Sequence, residues 1–110
     1  MATSYKILGQ LSPAANVSGG TTLYAPTGAS AVVSTLAICN KASSAATYRV
    51  AIRQGGAALE AKQYLFYDAT VSAYTTNTHT LGITLAPTDV VTVVASTANL
   101  SFQAFGSEVA

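Results

Sequence analysis

The sequence predicts an all-β domain: an antiparallel β-sandwich of about eight strands, jelly-roll-like, filling residues 1–110 as one unit. Three observations predict it. The apolar runs are short, and each is closed by a cluster of Gly, Pro, Asn or Ser. They recur at intervals of about 10 residues, the spacing of a sandwich or barrel. No segment carries the 3.6-residue apolar period of an amphipathic helix.

The first run, "SYKILGQ" from Ser4 to Gln10, sets Tyr5 and Ile7 against Lys6 and Leu8. After the loop "LSPAANVSGG" comes "TTLYAP" (Thr21 to Pro26), a short strand stopped by Pro26 and Gly28. "AVVSTLAICN" (Ala31 to Asn40) is apolar on nearly every residue, and the "KASSAA" turn joins it to "TYRVAIR" (Thr47 to Arg53). Alternation in that strand places Tyr48, Val50 and Ile52 on one face and Thr47, Arg49, Ala51 and Arg53 on the other. "QGGAAL" reads as a turn, and "KQYLFYDATV" (Lys62 to Val71) as a strand with aromatics on both faces. "THTLGITL" (Thr78 to Leu85) aligns His79, Leu81, Ile83 and Leu85. "VVTVVAS" (Val90 to Ser96) is the most β-branched run, and "LSFQAFG" (Leu100 to Gly106) closes the fold.

Half of the residues are hydrophobic but only 8% are charged, where a soluble domain usually carries about a quarter. The missing charge is replaced by 21 alanines, 15 threonines and 11 serines. A lone soluble protein keeps apart from its neighbours with a charged surface. A chain without one is expected to live in an assembly or to present a neutral surface to a partner. Alanine is a poor strand former, and its presence inside strands points to layers that approach closely. The opposing expectation is that these alanines tile solvent-facing positions.

The net charge of +1 is spread along the chain with no basic cluster, so a nucleic-acid footprint is not expected. One cysteine, Cys39, leaves no internal disulfide to stabilise the fold. No apolar run reaches membrane-spanning length, and "MATSYKILGQ" lacks the apolar core of a secretory leader. The expectation is a chain made in a cytosol and kept there until assembled. The sequons "NVS" and "NLS" are then expected to stay unmodified.

Chemistry has few candidates. A nucleophile–base pair would have to use His79, the sole histidine, with Asp68 or Asp89 as orienting acid. Cys39, His79, Asp68 and Asp89 are too scattered for a metal site. Glu60 and Asp68 are eight residues apart, about 26 Å in an extended strand, too far for a glycosidase pair. They read instead as solvated charges or as partners of Arg49 and Arg53. "QGGAAL" has no lysine and no following helix to cradle a phosphate. The expectation is no enzyme, no cofactor, no metal and no small-molecule substrate.

Two surfaces stand out. Arg49 and Arg53 share a strand face about 13 Å apart, placed to meet acidic groups of a partner or to sit at a solvated edge. "YLFYD" puts Tyr64 and Phe66 on one face and Leu65 and Tyr67 on the other. Only one face can be core, so the others need a cover, either a partner or a loop of the same chain. Tyr64, Phe66, Tyr67, Arg49 and Arg53 are therefore the interface candidates.

In order along the chain, "YKILGQ", "TTLYAP", "AVVSTLAICN", "TYRVAIRQGGAAL", "YLFYDATV", "LGITLAPTDVVTV" and "LSFQAFGSE" resemble small virion structural proteins of tailed phages, cyanophage-like. The resemblance implies a β-sandwich, a homotrimer and no enzymatic activity, and it carries over no site residues. It implies a capsid decoration (cement) protein on the exterior of the head, made in the host cytoplasm, whose partner is the major capsid protein. Nucleic acid and membrane are not expected partners. The "MATS" arm and the "LSPAANVSGG" loop would then be reaching elements. The alternative is a tail or fibre component that contacts a host receptor or glycan.

Overall fold

In the computed structural model, which describes residues 3–109, the predicted runs become β1 (Thr3–Leu11), β2 (Thr21–Tyr24), β3 (Ser30–Asn40), β4 (Ala46–Arg53), β5 (Tyr64–Val71), β6 (Thr76–Leu85), β7 (Val90–Ala95) and β8 (Leu100–Val109). They form two four-stranded sheets in the orders β1-β8-β3-β6 and β2-β7-β4-β5. β1 pairs with β8, β2 with β7, β3 with β6 and β4 with β5, all antiparallel. That nesting is one long hairpin with its tip at β4–β5. The hairpin is rolled until β3 also pairs with β8 and β4 with β7. The result is a jelly roll.

The core lies between the sheets. Val33, Leu36 and Ile38 of β3 and Leu100, Phe102 and Ala104 of β8 meet Tyr48 and Val50 of β4 and Val91 and Val93 of β7. Burying a side chain of Val to Phe size contributes about 1.5–3 kcal/mol. Strict alternation would send Val33 and Leu36 to opposite faces. A register shift between Val33 and Thr35 adds one residue to β3 against β8, and both side chains are buried. The same bulge presses β3 against β8, where a Cβ at Gly106 would run into the Val32 carbonyl. Glycine at 106 does not stop the last strand there; it lets β8 continue, paired with β1 and β3, to Val109.

The alanines inside strands are the close-packing kind. Ala31, Ala46, Ala51, Ala95 and Ala104 are buried, and Ala37 and Ala69 are half-buried. The exposed ones, such as Ala45, Ala57 and Ala86, lie outside the strands. At the front of the predicted strand "KQYLFYDATV", Lys62 and Gln63 belong instead to a 3-10 turn, Ala61–Gln63. A capping box holds that turn, with the Glu60 amide donating to Gln63 Oε1 at 2.8 Å.

The loop between β1 and β2 lies across the β2-β7-β4-β5 sheet. The Asn16 amide donates to the Ala95 carbonyl at 2.8 Å, and Ala15 bridges Ala95. Gly20, at φ 75°, has no room for a side chain above Thr92. Thr92 is thereby buried on the outer side of β7, and its Oγ1 has no hydrogen-bond partner. Part of the reaching loop is thus docked, with Val17 to Gly19 exposed. Of the arm Met1 to Ser4, residues 3 and 4 open β1, and Met1 and Ala2 lie outside the described residues.

Candidate functional site

β5 departs from simple alternation twice, and both departures shape the outer face of the β2-β7-β4-β5 sheet. Phe66 pairs with inward Val50, while Tyr64 pairs with Ala51 and Ala69 with Tyr48. Leu65 is therefore extra on one side of Phe66, and two residues oppose one on the other side. Asp68 completes the second irregularity at φ 53°, a left-handed conformation that Asp tolerates better than most residues. Tyr64 and Phe66 consequently do not share a face. Phe66 turns inward to Tyr48, whereas Tyr64 turns outward and meets Tyr67 edge-on at 4.9 Å between centroids.

The outward residues converge. Arg49 Nε donates to Asp68 Oδ1 at 2.7 Å and Nη2 to Oδ2 at 3.3 Å, while its guanidinium carbon lies 4.0 Å from the centre of the Tyr67 ring. The guanidinium beside Asp68 holds that carboxyl below its usual range, and Asp68 in turn pushes the arginine further up. Arg49 and Asp68, with the tip of the β1–β2 loop, Leu59 and Tyr64, border a cleft of about 270 Å³.

Arg53 is not part of that cleft. Its Nε donates to the Ala57 carbonyl at 2.8 Å and Nη2 to the Gly56 carbonyl at 3.0 Å. It closes the turn after its own strand and meets no carboxylate among the described residues. Glu60 pairs with Lys62 at 3.6 Å and is not a partner of either arginine.

His79 is set between the sheets at the β5/β6 edge. Its ring stacks on Phe66, 4.0 Å between centroids and 23° between planes, and its Nε2 lies 2.6 Å from Tyr48 Oη. Asn77 Nδ2 donates to the same phenol at 3.1 Å. Neither aspartate serves this histidine: Asp68 holds Arg49, and Asp89 accepts from the Gly55 amide at 2.8 Å and the Ala86 amide at 2.9 Å. Among the described residues no group of His, Cys, Asp and Glu side chains gathers that could hold a metal ion.

On the other sheet one part of the outer face is open and apolar. Tyr5 is 85% and Ile7 54% exposed, and beside them Val32, Phe105 and Gly106 form a shallow concave surface. At its margin Lys6 Nζ pairs with Glu108 Oε1 at 2.5 Å, and Tyr24 Oη donates to Glu108 Oε2.

Sequence reasoning passed over Asn40 and weighed Asp89 only as an acid or a ligand, yet both organise turns. Buried Asn40 donates from Nδ2 to the carbonyls of Ser44, Val71 and Ser72 and accepts the Ala42 amide, tying the β3–β4 turn to the end of β5. Asp89 ties the Gln54–Gly56 turn to the β6–β7 turn. The available signal was position: each is an Asn or Asp at a strand–turn junction, where such side chains bond nearby backbone. No protein family, no curated protein and no solved structure matches the chain.

Proposed function

We propose that this protein is a structural subunit of a tailed-phage virion, acting as a capsid decoration protein on the exterior of the head. The observation that carries the reading is an exposed apolar patch on the outer face of the β1-β8-β3-β6 sheet. Tyr5 and Ile7 stand out from an edge strand into solvent beside Val32 and Phe105, with the paired Lys6 and Glu108 as the charges at hand. An exposed apolar surface with a rim of polar groups marks a place of contact. The two long sheets supply a rigid backing for it.

In this reading three copies associate and bridge neighbouring major capsid proteins. A subunit that binds the assembled shell more tightly than the free parts stabilises the shell by mass action. Symmetry multiplies modest contacts, so no single strong site is required. Imaging of the parent particle tests the location: density for this chain on the head supports the reading, and density on the tail alone overturns it. Light scattering of the purified protein tests the association. The mass of three chains is expected, reduced by the double substitution Tyr5→Ser, Ile7→Ser. A wild-type monomer at micromolar concentration removes the trimer.

The cleft bordered by Arg49, Tyr64 and Asp68 favours a second reading, a tail or fibre component that contacts a host glycan.

A further inference from the structure

We propose that the cleft on the outer face of the β2-β7-β4-β5 sheet binds a neutral saccharide. The proposal rests on the cleft itself and sharpens the second reading above; it does not depend on where the chain sits in a virion.

Size comes first. Ligand cavities for drug-sized molecules run from about 300 to 1,000 Å³. At about 270 Å³ this one has room for a single ring and its substituents. It is also open enough for a chain to continue out of it, along the neighbouring groove between Glu60, Tyr64 and Tyr67.

Chemistry comes second. A pyranose has hydroxyls that both donate and accept around its rim, and patches of C–H on its faces. The cleft answers both. Asn16, Ser18, Thr47 and Ser96 bring amide and hydroxyl groups that can donate and accept, and half-exposed Asp68 has lone pairs beyond the two that face Arg49. Leu59 and the Tyr64 ring supply the apolar side, and Tyr67 holds Tyr64 edge-on.

Charge comes third, and it decides the class. The charged groups lining the cleft are Arg49 and Asp68, and they neutralise each other through two hydrogen bonds. A phosphate, a sulfate or a sialic acid would find the cation already engaged and a carboxylate beside it. An uncharged ring with hydroxyls to share meets no such penalty. The bidentate pair also fixes the carboxylate, and stacking over Tyr67 fixes the guanidinium, so the polar fork is pre-ordered for a ligand.

The test is titration of isotope-labelled full-length protein, followed by backbone amide NMR. The probes are methyl α-glucoside, methyl β-galactoside, methyl α-mannoside, N-acetylglucosamine and maltotriose, each to tens of millimolar, with N-acetylneuraminic acid and inorganic phosphate as anionic controls. Saturable shifts are expected for at least one neutral probe, centred on Asn16, Ser18, Thr47 and Asp68, with no such response to the anions. Tyr64→Ala and Asp68→Asn should each weaken that binding at least tenfold. Exposed Tyr67→Ala, which leaves the core untouched, should weaken it several-fold with the spectrum of the remaining fold preserved. No saturable shift with any neutral probe overturns the proposal, as does binding of the anions alone or binding that survives all three substitutions. Because no particle enters this experiment, its failure leaves the head location untouched, and failure of the head location leaves this result standing.

Discussion

A sandwich has two edges at which its sheets part, and this chain closes them with different chemistry. Where β1 faces β2, one carboxylate holds the seam: Glu108 takes the ammonium of Lys6 and the phenol of Tyr24. Where β5 faces β6, the seam is aromatic: Tyr48 reaches across to His79, which stacks on Phe66. The difference follows from burial. Tyr48 is 1% exposed and sits in the middle of the core with Phe102 against its ring. The Lys6 and Glu108 side chains are 49% and 22% exposed, so water shares their charge. One seam gains its free energy mainly from buried aromatic area. The other depends on protonation and salt.

The largest expected effect comes from removing the aromatic seam. Tyr48→Ala deletes a ring that contacts Phe66, His79 and Phe102, and should destabilise the fold by about 3–5 kcal/mol in denaturant unfolding. Tyr48→Phe keeps the ring and separates the hydrogen bonds from the packing. It leaves His79 Nε2 without its partner, while Asn77 retains the Thr70 carbonyl at 3.0 Å. A loss of about 1–3 kcal/mol is expected. If Tyr48→Phe unfolds at the wild-type midpoint, the seam is packing alone and the contrast between the edges weakens.

These two seams show what was and was not readable in the residues. Strand positions were, because apolar β-branched runs such as Val90 to Ala95 end at turn residues whose backbone preferences are local. The rolled pairing is consistent with that pattern but is set by which layers pack, and no single run encodes it. Bulges were not readable. The alternation of "YLFYD" puts Tyr64 with Phe66, and only the left-handed Asp68 and the extra Leu65 separate them. For the same reason the cleft was invisible: it needs Arg49, Asp68, Tyr64 and the tip of the β1–β2 loop together, and these are joined by bulges and a docked loop. The candidates Arg49, Tyr64 and Tyr67 came from residue type and face. Arg53 looked equivalent to Arg49 by spacing, yet it is consumed by the turn that follows it.

The ionic seam should reveal itself through pH. Burial, reinforced by Glu108, pushes the Tyr24 phenol well above its usual value, so the folded state keeps a proton that the unfolded state releases. That contribution is complete below about pH 10 and is lost as the pH rises beyond it. On the acid side Lys6, then Tyr24, holds the Glu108 carboxyl below its ordinary 4.5. Its contribution is complete above that value and is lost as the pH falls through the depressed range. Asp68 and Asp89 are lowered too and add to the same acid limb. Thermal unfolding against pH should therefore show Tyr24→Phe flattening part of the alkaline decline, and Glu108→Gln flattening only part of the acid one. At neutral pH Tyr24→Phe should cost less than Tyr48→Phe, because Glu108 keeps Lys6 and partial hydration. The reverse ranking would mean that the ionic seam is the stronger closure.

The smallest effect belongs to Lys6. It lies on an edge strand, half in water, and its only partner among the described residues is Glu108. Lys6→Gln should shift the unfolding midpoint by a degree or two at low salt and by nothing measurable near molar salt, where the screening length falls to about 3 Å. Substituting Lys6 also raises the Glu108 carboxyl toward its ordinary value, so the acid limb of the same variant should begin at higher pH. These two readouts separate a charge effect from a packing effect, since a loss of contacts made by the lysine's methylene stem would persist at high salt. A salt-independent loss would give Lys6 a packing role, and the edge would then be closed by Tyr24 and Glu108 without its charge.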